Sequence, residues 1–276
     1  MASIGPSHKD VIVNEDLLRH MVLNSIRVNY KQFKHEYGQL VIASDHKISW
    51  RRQVFQNYKA NRRKTRQESP LDWKHIFECL SNIREELKDY FHYPVIHVEG
   101  AEADDIISVL AKTHALRSDT KEDVIIISGD KDFGQLHYLP YIKQFDPVKK
   151  RFFKVDNPTE FLLEHIIRGD SSDGIPNILS DDDCFVNGIR QKPLRKERVA
   201  EWVKSPTPDS FLENETMSRN YYRNETLIDL THTPVDLRQR ILEEYNNQSG
   251  KRNDRIFNYF IDKQLRNLME TIGDFA

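Results

Sequence analysis

The chain has 276 residues, 38% apolar and 30% charged, with a formal net charge of -2. That length allows one large or two ordinary domains with a sizeable core, and the near-balanced charge excludes a global pull toward nucleic acid or membrane. The only cysteines, Cys79 and Cys184, form no Cys-x-x-Cys pair and argue against a disulfide framework or a zinc site; no stretch approaches the ~18 apolar residues that span a bilayer, so a cytoplasmic protein without membrane contact is expected.

The first ten residues, MASIGPSHKD, contain no apolar run of a signal peptide. A helix is predicted from the cap residue Asn14, with Leu18, Met21, Val22 and Ile26 on one face and Gly38 as its stop. QLVIAS, residues 39–44, predicts a buried strand ending at Asp45. The basic segment ISWRRQVFQNYKANRRKTRQESP follows, and then a helix whose Trp73, Ile76, Phe77, Leu80, Ile83 and Leu87 recur at helical spacing, with Pro94 beyond its end. PVIHV (94–98), DVIIIS and YIKQF (141–145) read as further strands, with AEADDIISVLAKTHAL as a helix between the first two. Such alternation predicts an α/β fold, a mainly parallel sheet flanked by helices. From Asn157 the pattern turns helical, through NPTEFLLEHIIRG, a polar stretch GDSSDGIPNILSDDD, KERVAEWV, PVDLRQRILEEY and DRIFNYFIDKQLRNLMETI. The expected division is an α/β domain over 1–155 and a helical part over 156–276.

Acids recur where these elements end. Asp45 follows the first strand; Glu102, Asp104 and Asp105 open a helix after the second; Asp130 and Asp132 follow the third, in VIIISGDKDFGQL; Asp170 and Asp173 follow FLLEHIIRG. Singly, each has an ordinary explanation as a helix cap or a side-chain turn. Together they would converge at the carboxyl ends of parallel strands, where α/β sheets bind ligands, and the repulsion between close carboxylates calls for cations. Oxygen ligands without Cys or His favour Mg²⁺ or Mn²⁺, and two such ions would activate a water and stabilise a leaving oxygen in phosphodiester hydrolysis.

Between Arg51 and Arg66 there are seven basic residues and no acid, with Lys59, Arg62, Arg63 and Arg66 on one face if the segment is helical. A solvated basic face is the ordinary alternative to a polyanion site. Tyr58 offers a ring on which a base could stack.

The motifs WRRQVFQNYKANRR, EADD, SGDKDF and GDSSDGIPN, in this order and spacing, make the chain resemble the 5′ nuclease (flap endonuclease) superfamily, within it the T-even phage ribonuclease H branch. The resemblance implies a PIN-like nuclease fold with a basic helical arch over about 46–72 and a DNA-binding C-terminal domain. It implies two Mg²⁺ ions (or Mn²⁺) on Asp45, Glu102, Asp104, Asp105, Asp130, Asp132, Asp170 and Asp173, with Asp45, Lys59, Arg62 and Asp130 catalytic. Nucleic acid would meet Arg51, Arg52, Tyr58, Lys59, Arg62, Arg63 and Arg66. The expected activity is removal of RNA primers or 5′ flaps during replication, with DNA and RNA/DNA duplexes as substrates, a sliding clamp and a single-strand-binding protein as partners, LRNLMETIGDFA as a contact or equally a helix end, and a monomer as the default.

Two departures from the family pattern stand out. The pattern opens with an apolar strand, interior to the sheet and ending in a metal-binding aspartate; MASIGPSHKD looks like the loop after it, and no apolar strand precedes Asp10. The sequence therefore predicts either a truncated nuclease or an inactive or weakened one, with exposed apolar sheet edges. The second is that NILSDDDCFVNGIRQKPLRKERVAEWV lacks the glycines of a helix-hairpin-helix, leaving Lys192, Arg195, Lys196 and Arg198 as duplex contacts or as a solvated face. The rivals are a flap- or junction-binding protein without cleavage and a phosphatase using Asp130 as nucleophile.

Overall fold

A computed structural model describes residues 13–117, 121–250 and 255–275, so Asp10, the MASIGPSHKD reading and Asp254 lie outside the described residues. Helix α1 (Glu15–Tyr37) begins where the Asn14 side chain accepts the Leu17 N–H at 2.8 Å and ends at Gly38, whose φ is 72°. Strand β1 is only Ile42–Ala43, and helices α2 (Arg51–Val54) and α3 (Asn61–Gln67) form the basic segment. In α4 (Trp73–Tyr90) the Asp72 side chain caps the His75 N–H, and Ile76, Cys79, Ile83 and Leu87 form the buried stripe that the periodicity predicts. Strand β2 (Val95–Ile96), helix α5 (Ala103–Ala115) and strand β3 (Val124–Ile127) follow. Then come strands β4 (Ile142–Asp146) and β5 (Arg151–Phe153).

The strands form two sheets rather than one. β1 pairs parallel with β2, Ile42 opposite Val95, and β3 pairs parallel with β4, Val124 opposite Ile142, while β5 is an antiparallel hairpin on β4 that the sequence reading did not include. Residues from both β1 and β3, with apolar side chains of α1 and α5 including Tyr30, Phe33, Ile106 and Leu110, line a cleft of about 570 Å³. The β1 strand is shorter than the apolar run 39–44 because it pairs with β2 over only two residues.

The chain continues through α6 (Pro158–Arg168), α7 (Lys196–Val203), α8 (Glu215–Ile228), α9 (Val235–Gln248), α10 (Ile256–Asp262) and α11 (Arg266–Met269). Residues 166–228 build their own core, in which Ile167, Ile178, Trp202 and Tyr221 are buried, joined by Phe55 and Tyr58 from the basic segment. The expected division near residue 155 does not separate the remaining C-terminal helices. Leu237 and Ile241 of α9 pack with Ile96 and Ile106. Tyr259, Phe260 and Phe275 pack with Leu23 of α1 and Ile83 of α4. The Tyr93 hydroxyl donates to the Phe275 carbonyl at 2.6 Å. LRNLMETIGDFA is thus partly core: Leu265, Leu268 and Phe275 are buried.

Candidate active site

β1 and β3 each end in an acidic turn. Asp45 follows β1, and its carboxylate accepts the Ala103 N–H at 2.7 Å, tying the strand end to the first turn of α5. After β3, Asp130 Oδ1 accepts the Asp132 N–H at 3.0 Å, and the Gln144 amide donates to the Asp130 carbonyl at 2.6 Å, which fixes the Asp-x-Asp turn on the neighbouring strand. Asp170 leaves α6 through Gly169, whose φ of +67° and whose distance of 2.4 Å from a Cβ position to the Ile175 carbonyl admit glycine alone. One Asp170 oxygen accepts the Ser172 N–H at 2.7 Å and its hydroxyl at 2.6 Å. Asn224 of α8 holds the two flanks of this turn, donating to the Ile166 and Pro176 carbonyls at 2.9 and 2.8 Å.

These turns bring Asp104, Asp132, Asp170 and Asp173 to the wall of one cavity of about 10 Å³, which Arg51 and Tyr58 also line. That is room for one water-sized occupant. Asp45, Glu102, Asp105 and Asp130 are not among its lining residues, and by what balances their charge the carboxylates fall into two groups.

In the first group protein cations neutralise the charge. Arg51 is buried and forks onto Asp105, with two bonds of 2.9 Å, and reaches Glu102 at 3.0 Å. Lys59 bonds Glu102, lies 3.6 Å from Asp173 and takes the Asp173 carbonyl with its own N–H at 2.7 Å; Arg62 bonds Asp173. The Tyr58 hydroxyl bridges Glu102 at 2.7 Å and Asp173 at 2.9 Å. Burial opposes ionisation of Glu102, but Lys59 and Arg51 outweigh it and hold the carboxyl below its usual range. Burial likewise works against the Lys59 ammonium, yet Asp173 and Glu102 raise it above the ordinary lysine value.

The second group lacks such partners. Among the described residues Asp45, Asp104, Asp130 and Asp132 form no ion pair with Lys or Arg. Burial, and then the neighbouring Asp130 charge, pushes Asp104 up to about 8. Burial also pushes Asp132 up to about 6, with Asp130 and Asp170 adding to the rise against His165. Clustered acids whose ionised forms are disfavoured are what a divalent ion would relieve, so this donor set fits a hard cation.

Several expectations need correction. Asp105 is fully buried and its oxygens are occupied by Arg51, by the Thr233 hydroxyl at 2.9 Å and by the Glu102 N–H at 2.9 Å; it locks α5 rather than facing a metal. Arg51 is consumed by that lock and by the Leu227 carbonyl at 2.8 Å, so it does not present itself to phosphate. Tyr58, only 2% exposed, offers no face for a base. Lys59 has a positive φ and precedes α3, so it does not share a helical face with Arg62, Arg63 and Arg66. The arch segment is two short helices with a turn between them.

Arg52, Arg63 and Arg66 are exposed, Arg66 with its guanidinium 4.8 Å over the Phe77 ring. Lys192, Arg195 and Lys196 are exposed around the start of α7, whereas Arg198 pairs with Glu213 and lies 4.4 Å over the Trp202 ring. Two groups of residues near the site went unread in the sequence. His165 stands between Asp132 and Asp170, and its place beside the buried Ile166 and Ile167 was the available signal. The other group is α8 itself, discussed below.

Residues 16–161 match the 5′-3′ exonuclease, N-terminal resolvase-like domain family, and residues 158–275 match the T4 RNase H C-terminal family. The chain belongs to the 5′-3′ exonuclease family. It is 31% identical to the ribonuclease H of Enterobacteria phage T4 across 95% of this chain and 88% of that protein. It is 33% identical to the flap endonuclease Xni of Shewanella sediminis over 48% of this chain and 49% of that protein. Among solved structures, the T5 D15 protein co-crystallised with metal ions aligns with a TM-score of 0.58 at 17% identity, covering 85% of this chain and 96% of that one. The T5 D15 flap endonuclease in a pseudo-enzyme-product complex with DNA and metal ions aligns with a TM-score of 0.57 at 16% identity, covering 88% and 94%. The fold is therefore that of the 5′ nucleases, enzymes that hydrolyse phosphodiesters. Among the described residues no helix is long and apolar enough to cross a membrane.

Proposed function

We propose that this chain is a divalent-metal-dependent, structure-specific 5′ nuclease that removes RNA primers or 5′ flaps during replication. The observation that carries this reading is the split among the carboxylates. Asp104, Asp130 and Asp132 are gathered without a Lys or Arg ion pair, while Lys59 and Arg62 bond the neighbouring Glu102 and Asp173 and Arg52, Arg63 and Arg66 of the same basic segment are exposed. Two Mg²⁺ or Mn²⁺ ions, when bound, supply water activation and stabilisation of the leaving oxygen. Asp45, Asp104, Asp130 and Asp132 hold that charge, with Asp170 at its edge. Lys59 and Arg62, already at the site on Glu102 and Asp173, exchange these carboxylates for the phosphate near the cut. Exposed arginines track the strand backbone, so affinity falls steeply with salt. A sliding clamp and a single-strand-binding protein fit as replication partners.

The test is a 5′-labelled flap duplex incubated with and without Mg²⁺, beside Asp130→Asn. Cutting that needs Mg²⁺ and falls at least ~10³-fold in the variant is expected from loss of a charge that holds the metal. Equal cutting by the variant would contradict the metal role. An aspartyl-phosphate formed on Asp130 would instead mark the phosphatase reading.

A further inference from the structure

Building on the metal reading above, we propose that His165 is a nitrogen ligand to an ion it shares with Asp132. This ligand makes that part of the site prefer a first-row transition ion such as Mn²⁺ over Mg²⁺. His165 is 7% exposed, in the last turn of α6. Its Nε2 lies 3.2 Å from Asp170 Oδ2, while the other Asp170 oxygen is already bonded by Ser172. A carboxylate there requires Nε2 to carry the proton, which leaves Nδ1 with its lone pair.

That Nδ1 faces Asp132 Oδ1 at 3.5 Å, and both atoms are buried without a hydrogen-bond partner among the described residues. Two buried acceptors aimed at each other repel unless a positive charge lies between them. A proton on Nδ1 would draw the pair toward the ~2.7–2.9 Å of a charge-assisted hydrogen bond, and the observed gap is wider. A cation bridging the two atoms satisfies both at once. Donor atoms of Asp132, His165 and Asp170 all lie within 4.8 Å of one another. Asp132 and Asp170 also line the small cavity that Asp104 and Asp173 share. Asp170 then serves as the outer carboxylate that orients the histidine, an arrangement whose disruption costs ~10–100-fold in metal affinity. An imidazole among carboxylates shifts preference away from Mg²⁺, which favours oxygen ligands and keeps its waters.

The decisive measurement is pulsed electron paramagnetic resonance on the full chain loaded with Mn²⁺, with natural-abundance and ¹⁵N-histidine-labelled protein. The expected result is nitrogen modulation from a directly bound imidazole that changes isotope pattern on labelling and disappears in His165→Gln. The variant should also lose roughly tenfold of the Mn²⁺-over-Mg²⁺ preference in competition titrations. Bound Mn²⁺ without nitrogen modulation in the labelled wild type overturns the histidine ligand while leaving the carboxylate metal site standing. So does modulation that survives in His165→Gln. Failure to bind Mn²⁺ at all would overturn both. The labelled wild type decides even if His165→Gln does not fold.

Discussion

The two sides of the acidic cluster differ in what balances their charge. On one side Glu102, Asp105 and Asp173 are met by Arg51, Lys59 and Arg62. On the other, Asp104 and Asp132 are half-buried near Asp130 with no such ion pair, and both carboxyls are pushed up, to about 8 and about 6. The first side behaves as a structural lock that also holds Lys59 and Arg62 at the site. The second stores electrostatic repulsion that a divalent ion relieves. Sequence adjacency hides this: Asp104 and Asp105 are neighbours, yet one turns to the cavity and the other into the lock.

The largest effect should come from breaking the lock. Arg51→Ala leaves Asp105 charged, buried and unpaired, and is expected to destabilise the fold by about 3–5 kcal/mol in urea unfolding. A loss under ~1 kcal/mol would place Arg51 among surface residues and remove the structural side of the comparison. Gly169→Ala, with a Cβ only 2.4 Å from a carbonyl at a φ of +67°, should cost about 2–3 kcal/mol and weaken metal binding by displacing Asp170. Unchanged stability and metal affinity would show that the turn relaxes freely.

Asp104→Asn should act in the opposite sense. A folded-state pKa raised above the ordinary 3.8 means the native chain holds a proton that the unfolded chain has released. This group's contribution to stability therefore declines as pH rises from about 4 to about 8. In chelator the variant is expected to be more stable than the parent by about 2 kcal/mol at pH 8–9, with the gain vanishing near pH 4. Saturating Mg²⁺ should reverse the order at pH 8. A variant that is no more stable at any pH would contradict the stored repulsion. The smallest effect belongs to the exposed cations: Arg63→Ala should weaken flap binding by roughly 1 kcal/mol and flatten the salt dependence by nearly one unit of slope. An identical slope would remove Arg63 from the interface.

Much of this was legible in the sequence. The cap at Asn14, the stripe through Ile76, Ile83 and Leu87, and the turn to a helical pattern at Asn157 marked three helices, because local hydrogen bonds and periodic burial are written in neighbouring residues. The Val/Ile runs before Asp45 and Asp130 marked strand ends at the site for the same reason. Helix α8 was not legible. Its buried face carries Asn220 and Asn224, which pair with distant backbone carbonyls, so it lacks a continuous apolar stripe. Nor could the sequence tell Arg51 from Arg52, since the partner that buries Arg51 lies on α5. His165 escaped notice because its partners, Asp132 and Asp170, meet it only once α6 has packed beside the Asp-x-Asp turn.

The most direct test of the divided cluster is anomalous diffraction from a crystal of this chain soaked in Mn²⁺. The account predicts metal peaks among Asp104, Asp130 and Asp132, with Arg51 still forked onto Asp105. A peak between Glu102 and Asp105 with Arg51 expelled, and none beside Asp130, would contradict it.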